Sequence, residues 1–326
     1  GQLDNDAYGG MYQNSLMGKR PTAKNVPLGL SEMAGDFVNA YVMGSVGDTA
    51  GIIGACATYL YNLKRGAEEI AAGHKRIVMV GNAEAPIIPE VMEGYRTMGA
   101  LAEDEALMAL DNATTADQRR ACRPFSSNCG FTVAESGIFT LLMDDALALE
   151  LGAQVLGSVG GVFVNADGYK KSIPGPGVGN YLTMGKALGL ARNLLGDRNL
   201  QHGTHVQAHG TGTPQNRVTE SEILSRMAGT FGIERWPVAA IKAYVGHSMA
   251  PAGGDQLAAV LGTWHDGWLP GITTVDHIAS DVNTAHLTLP LTHHELAPEQ
   301  RQAAFINSKG FGGNNATGLV LSPAFT

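Results

Sequence analysis

Apolar residues recur at helical spacing in some stretches and in short unbroken runs in others, and the two patterns alternate along the chain. Over residues 31–43, Met33, Phe37, Ala40 and Tyr41 share one helical face, with Ser31 placed as N-cap. Residues 50–55 are a short apolar strand candidate, and a helix follows over 57–72, closed by Gly73 at C′. Residues 76–80 read Arg-Ile-Val-Met-Val, an unbroken run that predicts a strand buried on both faces. Residues 89–128 form an irregular connector with one short acidic helix. Beyond it, 136–143 and 155–164 read as strands, 175–179 as a Gly/Pro loop, and 183–195 as a helix. The pattern continues with a strand at 205–208, a helix at 219–228, a strand at 238–242 and a helix at 256–264. Strands at 302–307 and 317–321 close it. This alternation in both halves predicts an α/β fold. Only residues 1–30, polar and turn-rich, give weak signals.

Composition sharpens the picture. The chain has 326 residues, of which 44% are hydrophobic and 16% charged, and it carries a net charge of −8. The acidic balance offers no global footprint for nucleic acid or anionic membrane. No apolar run reaches the roughly 18 residues of a membrane span. Glycine is in excess, 43 residues, close to twice the typical ~7%. These glycines follow no triplet period, which excludes collagen, and they neighbour apolar residues, which suggests tight turns around a buried site. Cys56, Cys122 and Cys129 lack metal-type spacing and read as free thiols of a reducing cytoplasm. The start, Gly1-Gln2-Leu3-Asp4, has no initiator Met and no signal pattern, so processing or truncation is expected.

Candidate chemistry gathers at predicted turns. Cys56 sits between a strand and a helix among small neighbours, where a helix N-terminus would lower its pKa and supply N–H groups to an oxyanion. His209 opens His-Gly-Thr-Gly-Thr-Pro after a strand, and His247 ends a second strand-and-turn. Strand C-termini are where open α/β sheets assemble sites, so a Cys–His–His set competes with two structural histidines. Residues 307–315, Asn-Ser-Lys-Gly-Phe-Gly-Gly-Asn-Asn, are neither a Walker loop nor a dinucleotide fingerprint. An N–H beside Phe311 could complete an oxyanion hole. Lys242 and Glu220 form a candidate pair holding the two histidine loops in register, against the alternative of two surface residues. His202, His205 and His209 lack an acidic third ligand, so no metal site is expected. Cys122 and Cys129 read as structural, and His293-His294 as solvated. Lys64, Arg65, Lys75 and Arg76 are either a patch for an acidic partner or an ordinary solvated helix end.

Jointly these stretches resemble the β-ketoacyl-acyl-carrier-protein synthases, condensing enzymes of the thiolase superfamily. The matching pieces, in family order, are Gly54-Ala55-Cys56, then Gly81-Asn82-Ala83-Glu84-Ala85, then Arg123-Pro124-Phe125 with Gly130-Phe131. His209 to Pro214, Lys242 with Gly246-His247, and Asn307 to Asn315 complete them. The resemblance implies a thiolase-like five-layer αβαβα fold of two similar halves. Residues 1–150 would be the remainder of the N-terminal half, carrying Cys56 but missing its first strands. Residues 151–326 would be the C-terminal half, carrying His209, His247 and the Gly-rich loop. It further implies a decarboxylative Claisen condensation in fatty-acid biosynthesis. Cys56 would hold the acyl primer as a thioester in an oxyanion hole of the Cys56 and Phe311 N–H groups. His209 and His247 would bind the malonyl thioester, Lys242 and Glu220 would support them, and Thr211, Thr213, Gly310 and Gly312 would contact substrate.

The expected partners are an acyl carrier protein, acyl-CoA or acyl-carrier donors, malonyl-acyl carrier protein and a second copy of the chain, in the cytoplasm. No cofactor is needed, because loss of carbon dioxide generates the carbanion. Departures from the family pattern are Cys129, Ala134, Ser136, Arg217 and Asn314. The turns at 213–217 and 251–256 are similar to a bacterial branch that includes the Pseudomonas-type initiating enzyme, which implies acetyl-CoA as primer. A polyketide-type ketosynthase and a non-catalytic chain-length-factor-like partner are the alternatives. Degradative thiolases are disfavoured because no cysteine follows Cys129.

Overall fold

A computed structural model describes residues 11–20, 23, 30–168 and 177–325. Its helices are α1 (Met11–Leu16), α2 (Met33–Val38), α3 (Thr58–Ala71), α4 (Pro89–Thr97), α5 (Asp104–Asp111), α6 (Asp145–Glu150), α7 (Val178–His202), α8 (Pro214–Thr230), α9 (Lys242–Val245) and α10 (Ala252–Asp266). Its strands are β1 (Ile77–Glu84), β2 (Ser136–Met143), β3 (Ser158–Ala166), β4 (Thr204–Gln207), β5 (Trp236–Ala239), β6 (Trp268–Leu269), β7 (Leu287–Thr288), β8 (His294–Glu295), β9 (Ala303–Gly310) and β10 (Asn314–Leu321).

A six-stranded sheet of order β3-β10-β9-β4-β5-β7 carries the fold. β3, β10 and β9 pair antiparallel, and β9, β4, β5 and β7 run parallel. Because side chains alternate along each strand, the sheet fills two cores. Val206 and Phe305 meet Met184 and Leu188 of α7 and Leu224 of α8 on one face. Ala304, Ile306 and Ala316 meet Leu60 and Leu63 of α3 and Leu257 and Val260 of α10 on the other. Across α3 and α10 lies a separate ribbon, β1 paired antiparallel with β2 from Ile77↔Met143 to Glu84↔Ser136. Val78, Val80, Ile138 and Leu142 turn inward, while Ile77, Phe139 and Leu141 remain exposed. Among the described residues this makes four layers, ribbon, helices, sheet and helices. A buried helix precedes an antiparallel strand pair twice along the chain, α3 before β1–β2 and α10 before β9–β10.

Several local readings need correction. Residues 50–55 form no strand, because the backbone N–H and C=O of Ile52 bond the Asn62 side chain of α3 rather than a neighbouring strand. The 76–80 run does form a strand, yet in β1 only Val80 is buried, since among the described residues β1 has one neighbour and one covered face. Ser31 does not cap α2; its hydroxyl bonds the Glu32 carboxylate and Glu32 occupies the N-cap position. Phe37 and Tyr41 are exposed. The connector holds two helices, α4 and α5, where one was expected. Gly175 and Pro176 lie outside the described residues, and Val178 already opens α7, which continues past Leu195 across a break at Gly196 (φ 76°). β5 ends at Ala239, so Lys242 belongs to the one-turn α9. Gly73 does close α3: it takes φ 73°, and the His74 N–H reaches the Glu69 carbonyl at 3.0 Å.

Candidate active site

Cys56 lies on a strained turn before α3. Ala55 takes φ 50°, rare for a residue with a side chain. The Thr58 side chain holds that turn, accepting from the Gly54 N–H at 2.9 Å and donating to the Ala55 carbonyl at 2.6 Å. Cys56 itself is buried, in a small cluster with Phe131, Val133 and Met249. Burial pushes its thiol up to about 11, Lys242 opposes this, Glu84 adds to it, and the Cys56 and Phe311 N–H groups pull it back. The expectation of a depressed thiol pKa is therefore overturned, because desolvation outweighs the helix terminus. Both expected oxyanion donors do bear on the sulfur.

The Phe311 N–H is delivered by the β9–β10 hairpin. The Asn314 amide donates to the Phe311 carbonyl at 2.7 Å and accepts from the Tyr61 hydroxyl of α3 at 3.1 Å. Asp167 accepts from the Gly179 N–H at 3.0 Å and from Asn315 at 2.9 Å, tying the hairpin to the start of α7. Gly310 backs onto the Cys56 turn so closely that a Cβ there would lie 2.6 Å from the Gly54 carbonyl and 3.1 Å from the Cys56 nitrogen.

His209 follows β4, and its ring stands 5.5 Å from that of His247 at right angles. Phe131 packs edge-on against His247 at 5.3 Å, joining the histidine pair to the Cys56 cluster. Burial holds both imidazoles well below the usual histidine range, with the Lys242 charge adding to the effect. Both are therefore neutral near pH 7. The Met249 N–H donates to His247 Nδ1 at 3.3 Å. That leaves the proton on Nε2, which makes this atom a donor. Gly246 permits the turn, with φ 69° and 3.0 Å from its would-be Cβ to the Thr132 carbonyl.

Glu220, fully buried on α8, accepts from the His209 and Gly210 N–H groups at 2.7 and 2.8 Å and from Asn216 and Asn307 at 2.8 and 2.7 Å. Lys242 Nζ donates to the His209 carbonyl at 2.6 Å. The two charges thus grip opposite sides of the His209 backbone rather than each other. A second lysine, Lys309, is buried nearby and donates to Thr219 Oγ1 at 3.1 Å. It was quoted within the 307–315 motif but given no role. Glu84 was quoted within a motif but given no role. It accepts from the Ala250 N–H at 2.7 Å, behind His247.

Thr211 and Thr213 bond each other through their hydroxyls at 3.0 Å on the His209 loop, and Gly312 turns the hairpin at φ 86°. A cavity of about 430 Å³ reaches Cys56, Phe311, Met249, Tyr95, Glu84 and Ile53. Lys64, Arg65, Lys75 and Arg76 each pair with an acidic neighbour, Glu68, Glu69, Asp48 and Asp144, which favours the solvated reading. Arg217 forks onto Asp281 at 2.9 and 2.8 Å and also reaches Asn128, a structural use. Cys122 is buried and Cys129 half-buried. Among the described residues no three His, Cys, Asp or Glu side chains converge as a metal site, and no helix is long and apolar enough to cross a membrane.

A buried thiol on a strained turn, a pair of N–H groups and two neutral histidines thus gather on this layered sheet. Residues 156–276 match the beta-ketoacyl synthase C-terminal domain, and the chain has the thiolase-like ketosynthase fold. It is 54% identical over 323 residues to the beta-ketoacyl-[acyl-carrier-protein] synthase FabY of Pseudomonas aeruginosa, covering 99% of this chain and 51% of FabY. The crystal structure of FabY, described as a noncanonical ketosynthase, superposes with a TM-score of 0.96 over 98% of this chain and 50% of that one. A chloroplastic 3-oxoacyl-[acyl-carrier-protein] synthase II of Arabidopsis thaliana is 26% identical, covering 99% of this chain and 57% of the relative. The ishigamide ketosynthase/chain length factor shares the fold at TM-score 0.79 and 22% identity, over 96% of this chain and 70% of that one. The chain spans about half the length of FabY.

Proposed function

We propose that the chain carries the reaction centre of a β-ketoacyl-acyl-carrier-protein synthase, an acyltransferase of fatty-acid biosynthesis. The observation that carries this is a single buried cluster. The Cys56 and Phe311 N–H groups act on the Cys56 thiol there, and Phe131 joins its cluster to a neutral His247 with the proton on Nε2. The Cys56 sulfur attacks the acyl thioester of a primer, and the carbonyl oxygen gains charge under the Cys56 and Phe311 N–H groups. The carrier thiolate leaves and takes the proton that Cys56 has lost. His209 and His247 then hold the carbonyl of a malonyl thioester. Its carboxylate departs as carbon dioxide, and the electron pair of that C–C bond becomes an enolate stabilised at the imidazoles. The enolate carbon attacks the acyl-Cys56 carbonyl, and Cys56 leaves as thiolate to recover a proton.

Glu220 and Lys242 keep the His209 loop rigid through its own peptide groups. Thr211, Thr213, Gly310 and Gly312 contact the carrier arm. The partners are an acyl carrier protein, an acyl-CoA or acyl-carrier donor, malonyl-acyl carrier protein and a second copy of the chain, in the cytoplasm. Acetyl-CoA and malonyl-acyl carrier protein are the substrates to test first. The expected products are a β-ketoacyl-acyl carrier protein and one carbon dioxide per condensation. His209→Ala and His247→Ala should each still acylate Cys56 while releasing little carbon dioxide. Full decarboxylation in both variants contradicts the assignment. Failure to acylate with any donor supports the chain-length-factor-like alternative.

A further inference from the structure

The segment after His247 is bent against its preference and fastened from three elements. Met249 takes φ 64°, a conformation that a methionine adopts only when its surroundings impose it. That bend aims the Met249 N–H at His247 Nδ1. Directly after Met249, the Ala250 N–H bonds Glu84 at the end of β1, and the Ala250 carbonyl accepts from the Tyr59 N–H of α3 at 3.2 Å. The third fastening is Asp255, in the first turn of α10. One carboxylate oxygen accepts from the Ser248 hydroxyl, directly after His247, and the other accepts from Ser136 Oγ of β2 at 2.8 Å. Ser136 is one of the departures from the family pattern.

We propose that Asp255 is a positioning residue: by clasping Ser248 to Ser136 it holds the Met249 bend and so fixes His247 as an Nε2–H donor. Without the clasp Met249 relaxes, its N–H leaves Nδ1, and either nitrogen can then carry the proton. A neutral amide retains the geometry, since its oxygen accepts from one serine and its N–H₂ donates to the other hydroxyl oxygen. Shape rather than charge is therefore what Asp255 contributes.

The test uses the whole chain labelled with ¹⁵N-histidine and two-bond N–H correlation spectra, with the His247 signals identified by their loss in His247→Gln. The native protein should show one neutral tautomer with the proton on Nε2. Asp255→Ala and Ser248→Ala should show averaged shifts from mixed tautomers, and Asp255→Asn should keep the native signature. The kinetic arm rests on the condensing reading. Asp255→Ala should lower kcat for malonyl decarboxylation about 10- to 100-fold, with KM and Cys56 acylation within about threefold of native. Asp255→Asn should restore most of that loss. An unchanged His247 tautomer in both Asp255→Ala and Ser248→Ala overturns the proposal, as does Asp255→Asn behaving like Asp255→Ala. If the native chain neither acylates nor condenses, the condensing reading fails, and the tautomer spectra still decide this one.

Discussion

β1 and β9 are both eight-residue strands, each following a buried helix and preceding an antiparallel partner. β9 is buried at every position, whereas β1 is buried only at Val80. The difference lies in their neighbours: β9 is flanked by β10 and β4 with helices on both faces, while among the described residues β1 has β2 alone and one covered face. The site divides along the same line. The ribbon side contributes a sulfur on a strained turn beside a cavity, and the sheet side contributes the buried charges and histidines that require a fixed frame. An apolar run thus predicts a strand, but burial depends on how many elements arrive to cover it.

The largest expected difference is between two thiols. Cys56→Ala should lower condensation by ~10⁴-fold or more in a product assay, while Cys129→Ser should stay within about threefold. The next effect is pH. Because burial pushes the Cys56 thiol up to about 11, its thiolate fraction rises about tenfold per pH unit below that value. Alkylation of Cys56 by iodoacetamide should climb steadily from pH 7 to 10, and a plateau near pH 8 would contradict the burial argument. The neutral histidines set the other limb. With folded pKa values held low by burial, decarboxylation should persist as pH falls through 6.5, rather than halving there as for an unshifted imidazole.

Stability variants probe the buried sheet against the open ribbon. Glu220→Ala removes the acceptor of four hydrogen bonds at the His209 loop and should cost about 3–5 kcal/mol in urea unfolding. Phe305→Ala on β9 should cost about 3–5 kcal/mol. Leu141→Ala on the open face of β2 should stay within about 0.5 kcal/mol. Equal losses for Phe305 and Leu141 would erase the distinction.

Most element types were legible in the sequence, because strand runs and helical spacing survive wherever one face is covered. Residues 50–55 were not, since a side chain on α3, Asn62, satisfies their backbone. The candidate site residues were legible as turn residues, and Glu220 and Lys242 as a candidate pair at the histidine loops. That the pair meets on the His209 peptide was not, nor was the upward shift of the Cys56 thiol. Both depend on burial, which spacing does not report. Lys309 and the Asp255 clasp were missed for the same reason, since their partners come from α8, from β2 and from the turn after His247.

Intact-mass measurement after incubation with an acyl-CoA or acyl-carrier donor tests the central claim most directly. The account predicts one acyl adduct on Cys56, absent from Cys56→Ala and retained in His209→Ala and His247→Ala. An adduct that survives Cys56→Ala, or no adduct with any donor, would contradict it.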